Sequence, residues 1–410
     1  MDVLKRIYAV VILYGCLFCW GDMTKLQFII FIVFFLSFTG NGYSQLQFSS
    51  SYEFSGDIKA DIENDTTDYG IKVQIGAANY SNSGYFREAQ ELFGSRPLSE
   101  KSLALFSPDD WESTDARRYI LKRSKKERII VINEAHNNSR HRNFTASLLE
   151  GLYKNGYRYL GLEALWVDSI VNQRKFVVWE DGFYTREPEF GNLISEALRL
   201  GFTVFGYEAD NKNGEEREQE QARNIMDFMS SHSEGKYLIH CGYAHAYENE
   251  ISYWGGKAMA LRLKEGLGNE LFTIDQTLCV EGSLPVVYDR SENVPIVLKN
   301  KKDGSMFHGL TDPQTDLCIV YPKTDYVQDR PVWQTYRRKR YTIDTDTLTC
   351  APVLVTAYRK GEYDQKGIPA DIIEINAPKQ EAILFLSSGE YEIIFQNRWY
   401  EIIARYSISI

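Results

Sequence analysis

Continuous apolar runs alternate with amphipathic stretches along the middle of the chain. Ile129-Ile130-Val131-Ile132 leads directly into Asn133-Glu134-Ala135-His136. Three more runs follow, over residues 159–162, 202–207 and 236–239. They end in Glu163, in Glu208 and in His240-Cys241-Gly242-Tyr243-Ala244-His245. Short runs that are apolar throughout read as strands buried on both faces, as in a parallel sheet. The segments between them have helical spacing. Asn137-Asn138-Ser139 caps a helix carrying Phe144, Leu148, Leu149 and Leu152, and Asn155-Gly156 closes it. Further helices are expected over 188–200, stopped by Gly201, and over 214–231 and 258–267, with a short strand over 271–274. Strands alternating with helices predict an α/β fold with a mainly parallel sheet and flanking helices.

From about Gly282 the helical spacing disappears. Short β-type runs at 319–321, 353–355, 372–375, 382–386, 391–395 and 401–408 predict a C-terminal all-β, sandwich-like domain. Upstream, residues 46–80 are polar with little periodicity and read as a loose lead-in. Residues 86–93 and 108–122 read as helices, the second because Ser107-Pro108-Asp109-Asp110 places Pro and acids in a first turn. The expected organisation is a leader over 1–45, a lead-in and helical segment over 46–124, an α/β domain over 125–282 and a β-rich domain over 283–410.

The leader is expected from two apolar stretches near the start. The second follows Met23-Thr24-Lys25 and exits through Thr39-Gly40-Asn41-Gly42. A short basic start, an apolar core and a small-residue exit form a secretory signal pattern, with translation starting at Met23. Both stretches are shorter than the roughly 20 residues of a spanning helix. A start at Met1 would instead make Leu13-Tyr14-Gly15-Cys16 a lipoprotein-type site, with lipid on Cys16. The protein is expected to be exported to the periplasm or cell surface of a bacterium and to touch membrane only through that leader or lipid.

Composition narrows the partners. The net charge of −10 argues against nucleic acid, because phosphate binding needs clustered Lys and Arg. Beyond the leader, Cys241, Cys279, Cys318 and Cys350 are too widely spaced for a disulfide framework and form no C-x-x-C pair. There is no phosphate-binding G-x-x-x-x-G-K-[ST] loop, no G-x-G-x-x-G after a strand and no G-x-S-x-G elbow.

The chemistry lies at the strand ends. If the strands are parallel, Glu134, His136, Glu163, Glu208, His240 and His245 meet at one sheet edge, where open α/β folds place their sites. A single Glu after a strand is usually a cap or a surface group, and a single His is usually structural. The same placement on four successive strands shifts the weight toward a site. Such a set has two uses. Glu134, His136, Glu208 and His245 could hold a divalent metal such as Zn, Mn or Co with an open water position. Alternatively, one His oriented by a carboxylate could activate water with no metal. His141 and Arg142, about one turn past His136, could face the same pocket with Tyr243 and contact substrate.

These residues also resemble a known superfamily. Asn133-Glu134-Ala135-His136, with His141 five residues on, resembles the G-E-x-H-(x4)-H opening of ChaN-like haem-binding proteins and the related opening of erythromycin esterases. Leu162-Glu163-Ala164 matches the Leu-Glu-Ala of the esterases. Residues 241–246 resemble the Gly-x-x-His-Ala element shared with the TraB/Tiki metalloprotease group. The resemblance covers roughly residues 125–280 and leaves the C-terminal third uncovered. It implies an α/β core, His136 as general base held by Glu134 or Glu163, and His245 completing the pocket. In the metalloprotease branch the same positions imply metal ligation. Asn133 stands where the family has Gly. Glu134-Ala135-His136 is one residue shorter than the esterase spacing, which favours the ChaN-like or metal-type branches.

Three readings follow. The first is an exported hydrolase that cleaves an ester or amide bond of a small-molecule or peptide substrate. The second is a haem- or ligand-binding protein without catalysis, with Tyr207, Tyr243 or Tyr247 as candidate axial ligands. The third is a degenerate relative that acts through its β region as a surface or carbohydrate-binding protein. The acid-rich cluster favours the first, since a haem pocket is mostly apolar.

Overall fold

The computed structural model describes residues 52–410 except 95–99, 105, 168, 211, 252–255, 282, 285–293 and 310–313. The expected leader and Cys16 lie outside the described residues. No helix among the described residues is long and apolar enough to cross a membrane.

The described chain opens with three helices, α1 (Ser55–Asn64), α2 (Tyr69–Asn82) and α3 (Phe86–Phe93). Next come β1 (Trp111–Asp115), α4 (Ala116–Arg123), β2 (Ile129–Glu134), α5 (Ser139–Lys154) and β3 (Tyr157–Leu162). After them run α6 (Pro188–Leu200), β4 (Thr203–Gly206), α7 (Gly214–Ser231), β5 (Lys236–Gly242), α8 (Met259–Leu267) and β6 (Leu271–Cys279). The longer strands that remain are β7 (Ile296–Asn300), β8 (Leu317–Val320), β9 (Lys339–Ile343), β10 (Val353–Arg359), β11 (Asp371–Ile375), β12 (Ala382–Leu386), β13 (Glu390–Gln396) and β14 (Ile402–Ser409).

Eight strands form one sheet in the order β1-β7-β8-β6-β2-β5-β3-β4. Strands β8, β6, β2, β5, β3 and β4 pair in parallel, while β7 runs antiparallel to both its neighbours. Alternate residues of a strand face opposite sides. Ile130 and Ile132 of β2 join Leu148 and Leu152 of α5 and Leu193 and Ala197 of α6 on one face. Ile129 and Val131 join Ala222 and Ile225 of α7 and Met259 and Leu263 of α8 on the other. Helices therefore cover both faces of the sheet, and β2 carries no polar position until Asn133.

The C-terminal strands build the expected sandwich. The antiparallel sheet β11-β10-β13-β14 packs against the β9–β12 pair around Val353, Val355, Leu384 and Ile393. The change of architecture comes later than residue 282, because β7 and β8 extend the large sheet.

The upstream segment differs from a loose lead-in. Tyr52 and Phe54 cover the outer face of the sandwich sheet against Leu354 and Ile394. Helices α1 and α2 meet at Gly76, where an added Cβ would lie 2.5 Å from Ile62. Small residues permit that close approach without leaving an amphipathic signal. Within the helix expected at 108–122, the first part is a single 3-10 turn followed by β1, and only 116–123 is α-helical. Strand β1 is polar and exists by pairing with β7, far along the chain.

Candidate active site

The helices that follow β2 and β5 lie on opposite faces, although the two strands are neighbours. A sheet opens a crevice at its carboxyl edge where its connections diverge in this way. His136 stands in that crevice, two residues past the end of β2. Its Nδ1 donates to Glu134 Oε1 at 3.0 Å, which leaves Nε2 as the basic nitrogen. Its side chain is 14% exposed, whereas His141, His240 and His245 are buried.

The ring of His136 is held on three sides. It stacks on Tyr184 with 3.8 Å between centroids, and Tyr243 meets it edge-on at 5.1 Å. Beneath it lies Gly242, where a Cβ would come within 2.4 Å of His136 Cε1 and 2.6 Å of Nε2. Only glycine lets the imidazole rest there. Tyr243 adopts φ +40°, a strained backbone for a non-glycine residue. Asn133 Nδ2 holds that turn by donating to the Tyr243 carbonyl at 2.8 Å. The same Asn133 accepts from the Gln276 N–H at 2.7 Å.

A buried chain of charges fixes Glu134. Arg142 donates Nε to Glu134 Oε2 at 2.6 Å and Nη2 to Oε1 at 2.7 Å, and its Nη1 reaches Glu187 Oε2 at 3.0 Å. Arg142, Glu134 and Glu187 are all buried. Burial alone would raise the Glu134 pKa, but Arg142, His136 and His240 outweigh it and hold the carboxyl well below its usual range. His240 Nε2 lies 3.6 Å from Glu134 Oε2, and burial lowers that imidazole to about 4, so it is neutral.

A second charged cluster lies across Gly242. Glu163 Oε2 accepts from the Gly242 N–H at 2.5 Å, and its Oε1 accepts from Arg217 Nη2 at 2.6 Å. Arg217 also holds Glu208, through Nε at 2.8 Å and through Nη2. His245 Nδ1 lies 2.7 Å from Glu218 Oε1, and its Nε2 faces both Arg217 Nη1 at 3.0 Å and Glu163 Oε1 at 3.4 Å. Burial disfavours the charged imidazole, but Glu163 and Glu218 outweigh it and raise its pKa to about 9. The same pairing with His245 and Arg217 keeps the buried Glu163 ionised.

The strand ends thus converge as expected, but the partners differ from those expected. The proposed metal set does not assemble. Glu134 is occupied by Arg142 and Glu208 by Arg217, so guanidinium groups stand where a cation would have to bind. Among the described residues no cluster of His, Cys, Asp and Glu is arranged to hold a metal. Arg142, expected on substrate, is buried against Glu134 instead. His141, also expected on substrate, accepts the Ala135 N–H on Nδ1 at 3.0 Å, and burial lowers its pKa to about 3. Tyr243 stands edge-on to the His136 ring. Haem fits poorly here. The Tyr207 hydroxyl is buried and donates to the His240 carbonyl at 2.8 Å, and ionised groups surround the crevice. Cys241 is buried, and burial pushes its thiol pKa well up, which removes it as a nucleophile.

Sequence reasoning passed over Tyr184, Glu187, Arg217 and Glu218, and it took Gly242 only as part of a motif. Glu187 and Arg217 carried a faint signal. Glu187 caps α6 just before Pro188, and Arg217 begins a helix straight after the Glu208 strand.

No protein-family model matches this sequence, and no curated protein does so. Among solved structures, the type III effector HopBA1 overlays with a TM-score of 0.34 at 12% identity, over 53% of this chain and 100% of that one. RRSP, a MARTX toxin effector domain from Vibrio vulnificus CMCP6, overlays with a TM-score of 0.31 at 14% identity, over 54% of this chain and 45% of that one. The C-terminal region of Pasteurella multocida toxin overlays with a TM-score of 0.29 at 9% identity, over 82% of this chain and 51% of that one. The overlays thus span about half the length of the last two structures, and at this level the likeness is a partial overlay of strands and helices.

Proposed function

We propose that the chain is a hydrolase that cleaves an ester or amide bond with water activated at His136. One observation carries the reading. His136 is the imidazole of the sheet edge that reaches solvent, and a clamped, ionised Glu134 fixes its Nδ1 proton. Nε2 takes a proton from water as the oxygen attacks the carbonyl carbon, and then returns that proton to the leaving oxygen or nitrogen. Glu134 orients the base and stabilises the imidazolium that forms. Glu163 and Arg217 position the Gly242 turn beneath the ring. Tyr184 and Tyr243 supply the walls against which a substrate lies. The motif resemblance of Glu134/His136, Glu163 and His245 to the esterase, ChaN-like and Tiki group supports the same assignment.

The test is turnover of chromogenic ester and fluorogenic peptide panels by the purified chain. His136→Ala is expected to lower kcat/KM by roughly 10²–10⁴-fold with the melting temperature nearly unchanged. Glu163→Gln is expected to cut turnover strongly as well. Wild-type rates in the His136 variant, or no turnover of either panel by the parent chain, would sink the assignment.

A further inference from the structure

A second concavity, of 780 Å³, lies away from His136, between helices α5 and α6 and the β sandwich. Its lining carries six basic side chains and three acidic ones, although the whole chain has a net charge of −10. Four of the cations are neutralised in place. Arg199 pairs with Glu196, Arg337 with Glu150, Arg338 with the buried Glu189, and Lys360 with Glu390. Lys175 and Arg359 have no ion pair among the described residues.

Those two cations are presented differently. Arg359 donates Nη2 to Asn192 Oδ1 at 2.6 Å, and Asn192 is itself fixed by donating Nδ2 to the Ala370 carbonyl at 2.9 Å. One corner of the guanidinium is therefore anchored before any ligand arrives, and the rest of the planar fork remains for oxygens. A preset orientation lowers the entropy lost on binding. Lys175 is exposed and ends a short helix in the left-handed conformation at φ 73°. Ser387 and Ser388 also line the groove. Glu362 is the acid that works against an anion here; burial raises its pKa to about 7 against the opposing pull of nearby Arg359, so its charge is incomplete at neutral pH. An anion filling this groove would meet the two cations that are in no ion pair, without breaking an existing one.

We propose that this groove binds a small molecule with clustered anionic oxygens, of the carboxylate, sulfate or phosphate class, held by Arg359 and Lys175. None of the residues around His136 lines this groove, so the site is a second one.

Isothermal titration of the full chain at low salt tests it, with citrate, a sulfated disaccharide and pyrophosphate as the three probes. At least one probe is expected to bind saturably at one site, and the preferred probe identifies the class of anion. Lys175→Ala and Arg359→Gln are each expected to weaken that binding tenfold or more. Lys175 is exposed, so its variant separates lost recognition from lost folding. Absence of saturable binding by all three probes, or undiminished binding in both variants, would overturn the proposal.

Discussion

Two clusters at the same sheet edge are built from the same parts, and only one of them offers a base to solvent. Each has a guanidinium clamped by two carboxylates, with an imidazole beside it. In the first, Arg142 lies between Glu134 and Glu187, and His136 is held through one nitrogen. In the second, Arg217 lies between Glu163 and Glu208, and His245 is enclosed at both nitrogens. A buried imidazole whose two nitrogens are both committed to protein partners has none left to exchange a proton with substrate. An imidazole hydrogen-bonded on one side and open on the other can do so. On the proposed function, exposure and the count of committed nitrogens separate a base from a strut, since residue type is the same in both.

The comparison can be broken most forcefully at the two arginines. Arg142→Met leaves Glu134 and Glu187 buried with an unpaired charge, and a stability loss of about 3–5 kcal/mol is expected in chemical denaturation. Arg217→Met is expected to cost clearly less, because its side chain is 25% exposed and water can replace it. Equal losses would mean that the clusters do not differ in burial in the way described.

Titration of His245 is the next largest effect. Its folded pKa of about 9 lies above the ordinary 6.5. The stability it contributes is therefore fully present below pH 6.5 and is lost as pH rises toward 9. A fall on the order of 3 kcal/mol is expected across that window, measured as unfolding free energy against pH. His245→Gln should flatten the curve there, and an unchanged slope in that variant would assign the pH dependence to another group. His240 acts with the opposite sign. Its pKa is lowered to about 4, so stability falls as pH drops from 6.5 toward that value.

The smallest effect sharpens the comparison at Gly242. Gly242→Ala would push a methyl group against His136 Cε1 and Nε2 while leaving the Arg142 clamp untouched. About a tenfold fall in turnover is expected from the displaced base, with little change in melting temperature. A stability loss matching that of Arg142→Met would show that the close contact is part of the fold's support.

Much of the large sheet is legible in the sequence for a simple reason. Strands covered on both faces must be apolar at every covered position, and 129–132, 159–162 and 237–239 are. The helix limits at Pro188, Gly201 and Gly214 follow from local backbone chemistry, and the structure places α6 and α7 at those positions. Residues that come straight after such strands reach the carboxyl edge, so Glu134, His136, Glu163 and Glu208 could be named together. Elements stabilised from a distance could not be read. Strand β1 is polar and depends on β7, and α2 is rich in Gly, Ser and Asn and is held by packing on α1 and α3. Neither leaves a periodic signal.

By itself, then, the sequence determined the α/β alternation, the sandwich that follows and the set of acids and imidazoles delivered to one edge, because those features depend on near neighbours in the chain. Only the tertiary structure decided their roles. Glu187 comes from 45 positions beyond Arg142, and Arg217 from 54 beyond Glu163, to complete the two charged clusters. Burial and charge pairing depend on such distant approaches, and they leave the His136 ring partly open to solvent and His245 buried.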